Sequence, residues 1–558
     1  MDIQFNAYSD NETLEAQLRS LAAAYPQLCT MSELGRSHED RPIWLMTLTN
    51  RATGEDRTKP AQWMDGNLHA TEVTGAMACL YTINHLLTCY GHDGQITRLL
   101  DTMCFYVAPR LNPDGAHQAF LQPAHRIRSG TRPYPYAEKR DGLHEEDIDG
   151  DGRILSMRLS DPSGDWKISP DDDRLMVKRG LDEEGGEYYR LLPEGSIHNY
   201  EPGLIPIAPP LEGLDFNRNF PFEWAPEGDQ RGAGPYPLSE PETRLATAFV
   251  ADHPNINVAV TCHTFGGVLL RPYSTRPDDQ MPPEDLWVFQ RLGRRGTEIT
   301  GYPNVSTYHE FRYHPKRLTY GAFDDWCYDH LGVFAWTVEV WDILAQAGIK
   351  DRKFIEWYRD HPVEDDLKIL KWVDDNVEGE GFVPWHEVDH PQLGRIEIGG
   401  WDDLFLWSNP PAKFLEAELA KVNAFVLAMA SAAAHLRILT LEATRLDAQH
   451  SKISLLLENA GYLPTYTSKR GQERNAVKPV VVELGPPDEH VALVQGRQRT
   501  EVGQLEGRSN KLVVGGLGGS PTDNRCRVEW IVRGESGRQL LVTAQGDRAG
   551  SVSQTVTL

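Results

Sequence analysis

The sequence predicts an α/β fold, a mixed and mostly parallel sheet flanked by helices, followed by a separate all-β sandwich. Three observations predict it. Nearly continuous apolar runs such as INVAVTCH (256–263) and VFAWTVEV (333–340) read as strands covered on both faces. Segments with a helical apolar period alternate with those runs, as in layered α/β domains. From about Ala434 to Leu558 the texture changes to short β-type runs with turn residues between them.

Each element follows from local chemistry. Ser9 or Asp10 can cap a first helix whose Leu14, Leu18 and Leu21 share one face, and Pro26 lies past its end. PIWLMTLT (42–49) reads as a buried strand. From Glu72 to about Cys89, Val73, Ala76, Met77, Leu80 and Ile83 recur at helical spacing. MCFYVAP (103–109) is the next apolar strand, and NPDG (112–115) turns away from it. Ser239 and Glu242 have capping-box spacing ahead of a helix carrying Leu245 and Phe249. Residues 130–205 are acidic and rich in Gly, Pro and Asp, which predicts a long insertion folded onto the domain surface. A helix bearing Phe414, Leu419, Val422, Phe425 and Met429 closes the first unit. The predicted organisation is therefore an α/β unit over 1–433 and a sandwich over 434–558. The sandwich strands are expected in LRILTLEATRL, SKISLLLENAG, KPVVVELG, NKLVVGG, RVEWIVRG, QLLVTAQG and SVSQTVTL.

Composition narrows the function. A chain of 558 residues is too long for one ordinary domain, and 40% hydrophobic with 25% charged residues is globular. No apolar run approaches the roughly 18 residues a membrane helix needs. The N-terminus has no basic start followed by an apolar block, so a cytoplasmic location is expected. A net charge of −25 repels phosphate backbones and argues against nucleic acid as a partner. The seven cysteines are scattered without any Cys-x-x-Cys pair, which reads as reduced thiols.

Two stretches carry metal-binding patterns. HEVDH (386–390) satisfies His-Glu-x-x-His, but that motif works on a helix, and Pro384 and Pro391 flank it. An ordered loop with partly exposed histidines is expected there instead. In QWMDGNLHATEVTGAMACLY (62–81), His69 and Glu72 sit at i, i+3 where a helix begins, a spacing that brings an imidazole and a carboxylate to one cation. A zinc hydrolase needs a third protein ligand and an open position. His263, at the end of INVAVTCH, is the candidate, because ligands of open α/β sheets collect at the carboxyl ends of strands. Glu339 ends a second such strand, where a carboxylate is costly without a polar task.

With these residues assembled, the chain resembles the zinc metallocarboxypeptidases of the carboxypeptidase A and B family. The ordered match includes GRSHEDRPIWLMTLT (35–49), DGNLHATEVTG (65–75), PRLNPDG (109–115), GLDFNRNFPFEW (213–224), GPYPLSEPET (234–243), CHTFGG (262–267), DDWCYD (324–329) and TVEVWD (337–342). The resemblance implies a carboxypeptidase-like sheet and one Zn²⁺ held by His69, Glu72 and His263. It implies Glu339 as general base, with Asp215 fixing the tautomer of His69. Asn217 and Arg218 would bind the terminal carboxylate of a peptide. An arginine beside the metal would stabilise the oxyanion; Arg126, Arg128 and Arg132 are all eligible, and Arg128 fits the expected distance best. Tyr320 would match the mobile tyrosine that closes over substrate. Asp324 stands where basic-specific members carry a pocket-floor aspartate, although a shortened loop could leave it on the surface.

Other readings use the same ligands: a peptidase of bacterial cell-wall peptides, carrying γ-D-glutamyl or D-amino-acid residues, or a deacylase of small N-acyl amino acids. A non-catalytic binding protein is the third. Within the insertion, Asp147, Asp149 and Asp151 before Gly152 copy the first half of a calcium loop. The twelfth position is Arg158, so Ca²⁺ there would be completed by carboxylates elsewhere, such as Asp161 or Asp165; the alternative is a solvated acidic turn.

Overall fold

The computed structural model describes residues 3–377, 381–486, 490–509, 511 and 520–558. The predicted run NKLVVGG, apart from Lys511, lies outside the described residues. The first helix, α1 (Asn11–Ala24), is capped by Asp10, whose carboxylate accepts the Thr13 N–H at 2.8 Å, and it buries Leu14, Leu18 and Leu21.

An eight-stranded mixed sheet carries the site. In chain order its strands are β1 (Cys29–Arg36), β2 (Pro42–Leu48), β3 (Ala61–Gly66), β4 (Cys104–Ala108), β5 (Ile256–Thr264), β6 (Val268–Arg271), β7 (Asn304–Ser306) and β8 (Phe334–Val340); in space they run β1-β2-β4-β3-β5-β8-β6-β7. The four central strands β4, β3, β5 and β8 are parallel, and all residues of β3, β4 and β5 are buried. That is why their sequences read as unbroken apolar runs. Helices α2 (Thr74–Cys89), α3 (Pro241–Asp252), α4 (Phe323–Leu331) and α5 (Ala412–Ala430) join the same core. The α3 start differs from the capping-box expectation. Pro241 at the first turn fixes Glu240 as the cap residue, and Glu242 instead accepts the His38 N–H at 3.0 Å.

HEVDH is neither a helix nor a loop. It ends the strand Phe382–His390, which pairs with Gly394–Trp401 at the edge of a six-stranded sheet. Edge position and a register shift at Val383/His386 accommodate Pro384. A rise of four strand residues from His386 to His390 separates the two histidines by about 13 Å, too far to share an ion. The other four strands of that sheet, Ser156–Ser160, Trp166–Ile168, Met176–Lys178 and Tyr189–Pro193, come from the acidic insertion. The insertion and the hairpin after β8 thus form one unit, with a small core of Leu143, Met157, Ile197, Ile396 and Ile398.

Beyond α5 the chain builds two four-stranded antiparallel sheets that share a core of Leu455, Val482, Trp530 and Val542. Two of their strands, Val491–Gln495 and Arg499–Gly503, were not foreseen: both are short, mostly unburied edge strands.

Candidate metal centre and its cavity

The loop after β3 presents His69 and Glu72 because two glycines let backbones meet. A side chain on Gly66 would come within 2.4 Å of the Gly75 backbone, and one on Gly75 within 2.5 Å of the Cys262 carbonyl. Asn67, at φ +54°, donates from its side-chain amide to the His69 and Ala70 carbonyls at 2.7 and 3.1 Å, and its side-chain Oδ1 accepts from Arg110 Nε at 2.9 Å. On the neighbouring strand, His263 lies in register with Glu339 of β8.

These elements bring three donors to one point. Glu72 Oε1 is 2.8 Å from His69 Nδ1, Glu72 Oε2 is 2.8 Å from His263 Nδ1, and the two ring nitrogens are 2.9 Å apart. All three side chains are buried. Each Nδ1 faces both the other ring and a Glu72 oxygen, so protons on both nitrogens would clash with each other, and a single shared proton would leave a carboxylate oxygen against a nitrogen lone pair. A set of two imidazoles and a carboxylate at this spacing fits a divalent ion, and it is the donor set of a catalytic zinc with an open position. The rings' outer nitrogens are also held. His69 Nε2 lies 3.1 Å from Asp215 Oδ1. His263 Nε2 lies 3.3 Å from the Thr261 hydroxyl, which donates to Asp65 at 2.7 Å. The second relay was missed in the sequence, although Thr261 stands two residues before His263 and so shares its face of the strand.

Arg128 is the arginine that reaches the centre: Nη1 donates to Glu72 Oε1 at 3.1 Å and Nε to Asp215 Oδ2 at 3.0 Å. Arg126 pairs with Asp403, and Arg132 with Glu240. Burial alone would raise Asp215, but the Arg128 and Arg218 cations hold it well below the usual carboxylate range. Burial, and then the Glu72 carboxylate, push Glu339 up to about 8. Asp215→Ala is expected to weaken zinc affinity about 10- to 100-fold, measured by competition with a chelator, because it frees the His69 ring.

Glu339, His69 and Arg128 open on a cavity also lined by Asn217, Arg218 and Asp324. Asn217 is oriented by Phe323, whose N–H donates to its Oδ1 at 2.9 Å, leaving the amide NH₂ free of that bond. Arg218 Nη1 donates to the Asn217 carbonyl at 2.6 Å. Asp324 lies in the first turn of α4, 3% exposed, so the surface alternative is set aside; burial pushes it up to about 6. The tyrosine in the lining is Tyr313, not Tyr320. The 311–322 segment folds back through a His314–Arg317 bridge, and the Tyr320 N–H is tied to Gln230 at 3.1 Å. A larger cleft on the other side of Arg128 runs between the insertion and residues 403–408, lined by Thr71, Ile127, Leu143, Ala208 and Leu404.

The acidic turn gathers Asp147, Asp149 and Asp151. Each accepts backbone N–H groups of its own loop, and Asp149 also faces His386 Nε2 at 2.8 Å. Asp161, which the sequence offered to complete a calcium site, is instead taken by Arg190 and the Ser163 N–H.

Residues 14–350 match the family model for zinc carboxypeptidases, and residues 435–557 match a domain of unknown function. The chain is similar to carboxypeptidase A2 of Rattus norvegicus, 25% identical over 346 residues, which are 60% of this chain and 62% of that protein. It is similar to carboxypeptidase B2 of Homo sapiens, 23% identical over 361 residues, 63% of this chain and 67% of the relative. Less than two thirds of the rat protein's length is thus spanned. Among solved structures, thrombin activatable fibrinolysis inhibitor is 19% identical, with 76% of this chain and 74% of that chain covered and a TM-score of 0.43. The family model spans more than half of the sequence and contains His69, Glu72, His263 and Glu339. This chain belongs to the zinc carboxypeptidase family.

Proposed function

We propose that the chain is a zinc-dependent carboxypeptidase that removes the last residue of peptides with a free terminal carboxylate. One observation carries the reading: His69 of the two-histidine, one-carboxylate cluster lines a cavity that also holds Glu339, Asn217, Arg218 and a buried Asp324. Zinc held by His69, Glu72 and His263 would supply a Lewis acid that makes water acidic enough to attack near neutral pH. The remaining work belongs to the chain. Arg218 and the Asn217 amide take the terminal carboxylate, which makes the activity an exopeptidase. Glu339 accepts the proton of the attacking water and returns one to the departing amine. Arg128 faces the oxygen on which negative charge develops. The larger cleft beyond Arg128 receives the upstream residues of the peptide.

Asp324 favours a terminal Lys or Arg, because a cation that fills the cavity pairs with the buried carboxylate. The test is the product profile of peptides varied at their last residue, with and without a chelator, alongside γ-D-glutamyl peptides and N-acyl amino acids. Metal-dependent release restricted to free carboxyl termini supports the reading, and faster turnover of either other class would displace it. Asp324→Asn is expected to cut kcat/KM for Lys- or Arg-ended peptides about a hundredfold and to spare apolar termini. Since Asp324 loses its charge as pH falls through about 6, basic preference in the parent enzyme should fade below that pH and be full above it.

A further inference from the structure

The part of the chain farthest in sequence from the metal ligands grips the helix that floors the cavity. We infer that the C-terminal sandwich is a working part of the terminal-residue pocket: Arg548 and the 467–474 segment clamp the C-terminal end of α4 and thereby hold Asp324 and Asn217 in place.

The clamp has three grips. Arg548, 2% exposed, spends its guanidinium on main-chain carbonyls: Nε donates to Pro254 at 3.3 Å, Nη1 to Gly332 at 3.1 Å, and Nη2 to Leu331. The last two are end carbonyls of α4, the site where a helix leaves acceptors unpaired and its dipole favours a cation. The second grip is backbone contact. Gly332, at φ +64°, lies against Gly471 so closely that a side chain there would come within 2.2 Å of the Gly471 Cα, and the Ser468 hydroxyl donates to the Gly332 carbonyl at 2.7 Å. The third is ionic. Asp329, fully buried in the last turn of α4, accepts from Arg470 Nη2 at 2.6 Å, from Arg474, and from the Tyr273 hydroxyl at 3.0 Å. Asp285 ties the same segment to α4: it accepts the Lys469 and Arg470 N–H groups at 2.8 and 2.9 Å and the Tyr328 hydroxyl at 2.8 Å.

The other end of this nine-residue helix is the pocket. Its first turn supplies Asp324, and the Phe323 N–H orients Asn217. Asp325 accepts the Ser274 N–H at 2.9 Å, next to Tyr273, which sits on Asp329. A helix of nine residues is about 13 Å long and moves as a rod, so a shift at its clamped end reaches the pocket floor. The metal ligands sit on β5 and on the loop after β3, outside α4. The clamp therefore bears on binding of the terminal residue and not on metal or proton transfer, and Arg548, Arg470 and Arg474 are positioning residues.

The inference rests on the peptidase reading of the cavity, so its test includes a readout that needs no turnover. In the full-length, zinc-loaded protein, Arg474→Ala is expected to raise KM for the preferred peptide about tenfold, with kcat changed by less than about twofold. Zinc content should stay unchanged, and amide hydrogen exchange over 323–328 should accelerate. Arg548→Lys keeps the charge but loses the fork, and should give the same pattern. Arg437→Ala, which removes a sandwich arginine paired with Glu458 instead of with α4, should move neither KM nor that exchange. Unchanged KM and exchange in both clamp variants would overturn the inference, as would a fall in kcat at constant KM. If the parent protein cleaves no peptide, the function is misread, and the exchange comparison alone still decides the clamp.

Discussion

Glu339→Gln should abolish turnover, lowering kcat about 10³-fold or more, while the protein still binds one zinc per chain. The substitution keeps the side chain's shape but removes the carboxylate that is proposed to take the proton. Glu339 is not one of the three clustered donors; it stands on the adjacent strand in register with His263 and lines the same cavity as His69. The sign of the pH effect follows. A general base works only when ionised, so with Glu339 in that role activity in the parent enzyme should fall as pH drops through the pKa of this carboxyl. Burial and the Glu72 charge push that value up. A divalent ion held by Glu72 would draw it back toward ionisation at neutral pH. The acidic limb of the kcat/KM profile should therefore be absent from whatever rate the variant retains. A variant that keeps its zinc and also keeps parental turnover would remove Glu339 from the mechanism.

Much of this site was legible because its chemistry sits at strand ends. His263 and Glu339 terminate apolar runs that could only be central strands, and the structure sets those runs side by side, as β5 and β8. His69 and Glu72 were legible from spacing at a helix entrance. What the sequence hid was pairing across long separations. The insertion was expected to fold onto the domain surface, but its partner there was not readable: Arg158 of its sheet pairs with Glu397 of the hairpin that includes HEVDH, 239 residues away. No local pattern encodes that partner. The same limit applies to Tyr313. Both it and Tyr320 lie in one irregular segment with no periodic pattern to say which ring turns inward, and it is Tyr313 that lines the cavity. The Arg548 contacts were equally invisible, because they run from a guanidinium to main-chain carbonyls that carry no side-chain signature.

Arg218→Met should cost about 10²- to 10³-fold in kcat/KM on peptides with a free carboxyl terminus, since breaking a buried, hydrogen-bonded charge pair costs about 2–5 kcal/mol. Methionine keeps much of the stem volume and removes the fork. Arg218 lines the cavity, is 8% exposed and stands 3.9 Å from Asp215, so its charge is already partly spent within the protein. That raises a rival account, in which the arginine merely holds Asp215 and Asn217. The two accounts separate on a peptide amide, which presents no carboxylate. If Arg218 binds the terminus, parent and variant should cleave the amide at similarly poor rates, and the penalty appears only with the acid. If it is scaffolding, the loss should be the same for acid and amide, and zinc affinity should drop with it, because Asp215 would no longer be held against His69. Arg128 also donates to Asp215, at 3.0 Å, so the carboxylate keeps a strong partner in the variant. The expected result is full zinc retention with a penalty confined to the acid, measured as the acid-to-amide ratio of kcat/KM in each protein.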